Sequence, residues 1–245
     1  MTPGNRPMRV FTHAFQPIVD VSEGEVWAHE ALLRGPGNES AASVMADLDR
    51  DTLHRLDRSS RVSAIALASR LGMTSCLSLN AMPQSLDDAD HRADATVEQA
   101  RACGFPLHRI IVELTETEAI ADRNRFTGTV EAYRALGVQL AIDDFGAGHS
   151  GLNLLADFQP DILKLDMGLV RNIGSSGPRQ SIVRAIIQVC EDLAIDVVAE
   201  GVETVDEYAW FEGEGIRLFQ GYLFARPGFE ALPDVFYPAG VTGRS

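Results

Sequence analysis

VQLAIDDFGAGHS, residues 138–150, is the stretch whose reading decides the rest of the chain. An apolar run climbs from Val138 to Ile142, meets two consecutive carboxylates, Asp143 and Asp144, and breaks into a loop with glycines at 146, 148 and 151. This is the pattern of a strand that delivers acid to an open end. Neighbouring residues of a strand face opposite ways, so the two carboxylates converge only if the chain leaves extended geometry at Asp144. Two carboxylates that close repel unless a cation lies between them, and a divalent metal is the ordinary answer. A polar turn with a solvated Asp pair is the plain alternative, and the remainder of the chain bears on the choice.

The flanking segments repeat one unit: strand, polar residue, loop, helix. Residues 11–19 and 25–33 read as two strands joined by a short turn, which predicts an opening hairpin. Helical spacing in two pieces follows over 43–71. Strands are expected at 76–80, 109–114, 161–166, 196–199 and 217–219, and helices at 92–103, 119–136, 178–193 and from a Thr204/Glu207 capping box to about 212. Repeated βα units form an open doubly wound sheet or a closed barrel. Polar residues end nearly every strand instead of gathering at one crossover, which favours an α/β fold of the modified TIM (β/α)8 barrel type, with an antiparallel first strand. On this reading residues 1–10 are a loose lead-in, 11–240 a single barrel and 241–245 a tail.

The strand-end groups are Glu30, Asn80, Glu113, Asp143, Asp144, Lys164 and Glu200. If the strands close, all seven meet at one mouth. Carboxylates and one amide are hard oxygen donors, suited to magnesium or manganese and not to zinc. Such a set fits two-metal hydrolysis of a phosphoester, with Asp143 as the bridge and Lys164 orienting water or neutralising transition-state charge. An enolase-type site, with a strand-end lysine as base, uses the same groups and stays open on spacing alone. His29 points away from Glu30 along its strand and reads as a packed or surface-facing residue rather than a ligand.

Composition narrows the partners. The chain has 245 residues, 45% hydrophobic, with a formal net charge of -14, so it lacks the basic footprint that duplex nucleic acid requires. Cys76, Cys103 and Cys190 lack CxxC spacing and read as buried free thiols of a reducing compartment. No apolar run approaches the roughly 20 residues of a membrane helix, and the start of the chain has no signal-peptide core. The expectation is a cytoplasmic protein without membrane insertion.

EALLR at 30–34, LSLN ending at Asn80, ELTE at 113–116, DDFGAG at 143–148, LKLD at 163–166, EGVET at 200–204 and QGYLFARP at 220–227 together resemble the EAL-domain cyclic di-GMP phosphodiesterases. The resemblance spans nearly the whole chain. It implies a modified TIM barrel that linearises cyclic di-GMP to pGpG with two Mg2+ or Mn2+ ions, Ca2+ binding without turnover. It implies Glu30, Asn80, Glu113 and Asp143 as ligands of one metal, and Asp143, Asp144 and Glu200 for the second, with Lys164 beside the water. Glu200 is cast by the family both as ligand and as general base. Arg34 is similar to the arginine that holds a substrate phosphate. Gln16, Leu33, Asp166 and Gln220 carry over to substrate contact.

By the same resemblance Glu116, with help from Glu203, holds the loop of Gly146 and His149, which the family uses near a dimer interface, so a homodimer is expected. His149 is the clearest departure, since the family more often has tyrosine there. A sensory or regulatory protein partner is a further expectation. A receptor that binds cyclic di-GMP without cleaving it is the rival function; degenerate members tend to have lost the ligand set, which is complete here.

Overall fold

The computed structural model describes residues 9–82, 95–115, 128, 131–147, 155–156 and 158–238. The opening hairpin is present: β1 (Thr12–Asp20) turns into β2 (Glu25–Arg34) and pairs with it antiparallel, Gln16 opposite Glu30. Ser40 caps a short helix, α1 (Ala41–Met45), and Asp49 caps the long one, α2 (Arg50–Arg70), each side chain accepting from a backbone N–H three residues on. These are the two helical pieces expected over 43–71.

Then come β3 (Cys76–Asn80), α3 (Ala95–Cys103), β4 (Ile110–Thr115), β5 (Gln139–Phe145), β6 (Ile162–Leu165), α4 (Met167–Val170), α5 (Gly177–Asp192), β7 (Asp196–Ala199), α6 (Val205–Gly213) and β8 (Leu218–Gln220). The capping box of α6 is formed in both directions, Thr204 accepting from the Glu207 N–H and the Glu207 carboxylate from that of Thr204. Of the helix expected over 119–136, the described residues 128 and 131–135 are helical.

Strands β2 to β8 run parallel in chain order, and β1 closes the ring by pairing antiparallel with both β8 and β2. The result is an eight-stranded barrel whose first strand is reversed. A two-residue β9 (Gly228–Phe229) adds to the far part of β1. Among the described residues no helix is long and apolar enough to cross a membrane.

Period-two alternation divides the strand residues between two cores. Leu77, Leu79, Val112, Leu140, Leu163 and Phe219 face outward onto the helices with Ile65, Val97 and Ile187. Inside the barrel, each strand contributes one residue to a single apolar layer: Ile18, Ala28, Cys76, Ile111, Ala141, Ile162, Val198 and Leu218. That layer plugs the barrel. Two residues further along each parallel strand, the next inward position is Glu30, Ser78, Glu113, Asp143, Lys164, Glu200 or Gln220, and on the reversed β1 it is Gln16. The apolar floor therefore dictates a polar ceiling.

Of the two placements expected for His29, the structure takes the packed one, its Nδ1 2.8 Å from Ser75 Oγ, and burial lowers its pKa to about 4. The cysteines are free, but only Cys190 is buried; Cys76 and Cys103 are half-buried, which corrects the reading of three buried thiols. Cys76 lies at the start of β3 and Cys103 at the end of α3, where neither is fully covered.

Candidate active site

Lys164 is the hub of the ceiling. Its side chain is 1% exposed, and its Nζ lies 2.7 Å from Glu200 Oε1, 2.8 Å from Glu113 Oε1, 3.2 Å from Asp143 Oδ1 and 3.6 Å from Glu30 Oε2. Four carboxylates against one ammonium leave an excess of negative charge in a buried place, which is costly without further cations. The titration behaviour records that excess. Burial, only partly offset by Lys164, pushes Glu113 up to about 8 and Glu200 well above the usual carboxylate range. Asp144 is exposed on one side, and partial desolvation and then the neighbouring Asp143 raise it. For Lys164 burial alone would lower the ammonium, but Asp143, Glu113, Glu200 and Glu30 outweigh it and hold it well above its ordinary value.

The two aspartates converge by the expected departure from extended geometry. Asp144 has φ 54, the left-handed region that Asp tolerates better than most residues, and the β5–β6 register slips between Ile142 and Phe145. Gly146 follows at φ 99, where a Cβ would also lie 2.4 Å from the Leu169 side chain. As a result Asp143, Asp144 and Glu200 each offer a ligand oxygen within 4.8 Å of the others.

The remaining members hold one another. The Asn80 amide donates to Glu30 Oε1 at 2.9 Å and the Gln220 amide to Glu30 Oε2 at 2.7 Å. Ser78 Oγ donates to Glu113 Oε1 at 2.5 Å, while Glu113 Oε2 is buried with no hydrogen-bond partner among the described residues. Divalent cations fit this donor set: it is all oxygen, over-supplied with negative charge, and contains a buried carboxylate oxygen left without a donor.

Two cavities open from the ceiling. One of about 360 Å3 is lined by Gln16, Glu30, Asp144, Asp166, Glu200 and Gln220, with Arg171, Glu203 and Tyr222 at its wall. The other, about 410 Å3, runs from Glu30, Asn80 and Glu113 past Leu33 and Arg34 to α2. Of the seven residues gathered from strand ends, Glu30, Glu113, Asp143 and Glu200 thus surround Lys164 directly, Asn80 joins through Glu30, and Asp144 joins through Asp143.

Several expected positions have other partners. The Gln220 amide is engaged by Glu30, Asp166 caps α4 by accepting from the Gly168 N–H at 2.8 Å, and Arg34 donates to its neighbour's carbonyl, Leu33 O, at 2.8 Å. Glu203 forms a close ion pair with Arg171, which ties the loop after β7 to the end of α4. Glu116 and His149 lie outside the described residues, as does most of the loop on which the expected dimer rests. Sequence reasoning missed Ser78. Only its inward register, two residues before Asn80, could have marked it.

Residues 9–227 match the family described as the EAL domain. The chain belongs to the EAL domain family. It is 35% identical over 226 residues to the blue light- and temperature-regulated antirepressor BluF of Escherichia coli, covering 92% of this chain and 56% of BluF. It is 35% identical over 227 residues to the cyclic di-GMP phosphodiesterase NbdA of Pseudomonas aeruginosa, covering 87% of this chain and 28% of NbdA. The chain thus spans about half or less of these curated relatives.

Among solved structures, a standalone versatile EAL protein from Vibrio cholerae in its c-di-GMP-bound form superposes with a TM-score of 0.89 at 48% identity, covering 94% of this chain and 98% of that one. Klebsiella pneumoniae BlrP1 in a calcium and cyclic di-GMP complex gives 0.86 at 41% identity, covering 96% of this chain and 60% of that one. BlrP1 was also solved with manganese and cyclic di-GMP.

Proposed function

We propose that this EAL-domain chain is a metal-dependent phosphodiesterase that hydrolyses cyclic di-GMP to linear pGpG. The observation that carries the reading is the cluster of Asp143, Asp144 and Glu200, with ligand oxygens within 4.8 Å, beside a lysine already contacted by Glu30 and Glu113. Glu30, Asn80, Glu113 and Asp143 would hold one divalent ion, and Asp143, Asp144 and Glu200 a second, Mg2+ or Mn2+ in each place. Bound there, such ions acidify water and neutralise charge on the phosphate oxygens.

The chain's own groups then have separable tasks. Lys164, a donor only, holds the oxygen of the attacking water and keeps Asp143 and Glu200 apart. Glu200 stands on the same ammonium at 2.7 Å and accepts a proton from that water. The water oxygen bonds to phosphorus, the bond from phosphorus to the 3′ oxygen breaks, the leaving oxygen takes up a proton from solvent, and Glu200 releases the one it accepted. One ring opening yields a 5′-phosphate monoester. Arg34 and the two cavities beside Glu30 supply a cation and room for the two halves of the dinucleotide.

An enolase-type reaction uses similar groups, but the c-di-GMP complexes of the Vibrio and Klebsiella proteins favour the phosphodiester. A second reading, a binding module that acts without turnover, has one observation behind it: BluF is known as an antirepressor. Cleavage in 18O-labelled water separates the two. The enzyme reading expects pGpG with one label in its terminal phosphate, and cyclic di-GMP recovered intact with either metal would favour the binding module.

A further inference from the structure

Ser78 touches no cavity of the site and was not among the residues the sequence singled out. It is fully buried, sits opposite Glu30 in the β2–β3 register, and faces inward in the same layer as Glu113, Asp143 and Lys164. Its hydroxyl donates to Glu113 Oε1 at 2.5 Å, and Lys164 Nζ approaches that same oxygen at 2.8 Å. The other oxygen, Oε2, is buried with no hydrogen-bond partner among the described residues. A 1% exposed carboxylate with its hydroxyl donor and the nearest ammonium both on one oxygen, and no donor on the other, has a defined orientation.

We infer that Ser78 is a positioning residue for the metal centre, fixing the Glu113 carboxylate through Oε1 so that Oε2 alone is presented to a divalent ion. The inference rests on the metal reading of the site and goes beyond it by naming what aims this ligand. Three features support it. A hydroxyl is the smallest group able to donate from an inward strand position next to the apolar floor. The donor lies on the neighbouring strand, where the barrel's register fixes its height, with Asn80 directly opposite Glu113. And Lys164 cannot do the task alone, because it is shared among four carboxylates and a free carboxylate would rotate to give it either oxygen. Partners that orient a metal ligand typically govern metal affinity by about 10–100-fold.

The test measures Mn2+ binding by electron paramagnetic resonance on the whole protein, with thermal unfolding of the metal-free form as a control for fold. Ser78→Ala removes one oxygen from a buried site and is close to isosteric. It is expected to weaken Mn2+ binding by about 10–100-fold, to raise the Mn2+ concentration for half-maximal cleavage in parallel, and to recover most of the kcat at saturating Mn2+. Ser78→Thr, which keeps the hydroxyl, is expected to bind Mn2+ close to the wild-type affinity; if the added methyl disrupts the fold, Ser78→Ala decides alone. Equal Mn2+ affinity in wild type and Ser78→Ala would overturn the proposal and leave the metal reading standing. Absence of Mn2+ binding by the wild type would remove the metal reading and the proposal with it.

Discussion

Asp144 stands in left-handed backbone immediately after the extended Asp143, and this single reversal brings two adjacent carboxylates to one point. Asp144 is solvent-exposed on one side, yet partial desolvation and the neighbouring Asp143 still raise its carboxyl, so its charge is unfavourable in the metal-free protein. Asp144→Asn keeps a side chain that tolerates the left-handed region and removes the charge. The variant should unfold at a higher temperature than wild type without metal, and lose cleavage by at least about 100-fold, in the range of a lost electrostatic group. A lower metal-free unfolding temperature would contradict this account of the pair.

Lys164 is the opposite case. It is the buried cation that makes the carboxylate cluster tolerable, and removing one partner of a buried ionic group costs roughly 3–5 kcal/mol. Lys164→Met should therefore be strongly destabilised in chelator, abolish cleavage, and regain part of its stability when Mn2+ is added. Chemical denaturation with and without metal checks the two stability outcomes, and a cleavage assay checks the third.

Gly221 controls the approach of β8's end to the loop after β7. A Cβ at this position would lie 1.9 Å from the Val202 carbonyl oxygen, a backbone atom that cannot swing aside. Val202 also donates its N–H to Gln220 O at 3.0 Å, so the two segments are bound together there. Gly221→Ala should destabilise by about 1–3 kcal/mol, the usual cost of overpacking. It should also weaken activity, because the shift falls between Glu200 and Gln220.

His13 gives a pH dependence away from the metal ligands. Burial first, and then the Arg34 charge, lower its pKa to about 4, with its Nε2 2.9 Å from Ser60 Oγ. The unfolded chain protonates this residue near 6.5 and the native chain only near 4. Stability is therefore lost as pH falls through that window and levels off below it, with up to about 3 kcal/mol at stake. His13→Gln should flatten this part of the stability curve relative to wild type. Parallel curves for the two proteins would show that the native state does not hold His13 neutral.

Much of this was legible in the sequence because barrel chemistry follows strand ends. Apolar runs ending on Glu30, Asn80, Glu113, Asp143 and Glu200 announce both the strands and the mouth, and the DD pair announces its own bulge. The reversed first strand could be read from the short turn after Asp20. Hydrogen-bond partnership could not be read in the same way. Nothing in EGVET distinguishes a Glu203 that meets Arg171, 32 positions earlier, from one that serves the loop after Asp144. Gln220 reads as a free polar end until the closed barrel places it against Glu30. Ser78 is a small polar residue in a strand, and its meaning depends on which way that strand faces and on what the next strand carries.

The central claim, that these residues form a working phosphodiesterase centre, is tested most directly by single-turnover cleavage of cyclic di-GMP in Mn2+, run beside equilibrium binding of the same nucleotide in Ca2+. The account predicts pGpG formation by wild type in Mn2+, retained binding in Ca2+ without cleavage, and loss of cleavage in Asp143→Asn. Tight binding with no cleavage in either Mn2+ or Mg2+, or undiminished cleavage by Asp143→Asn, would contradict it.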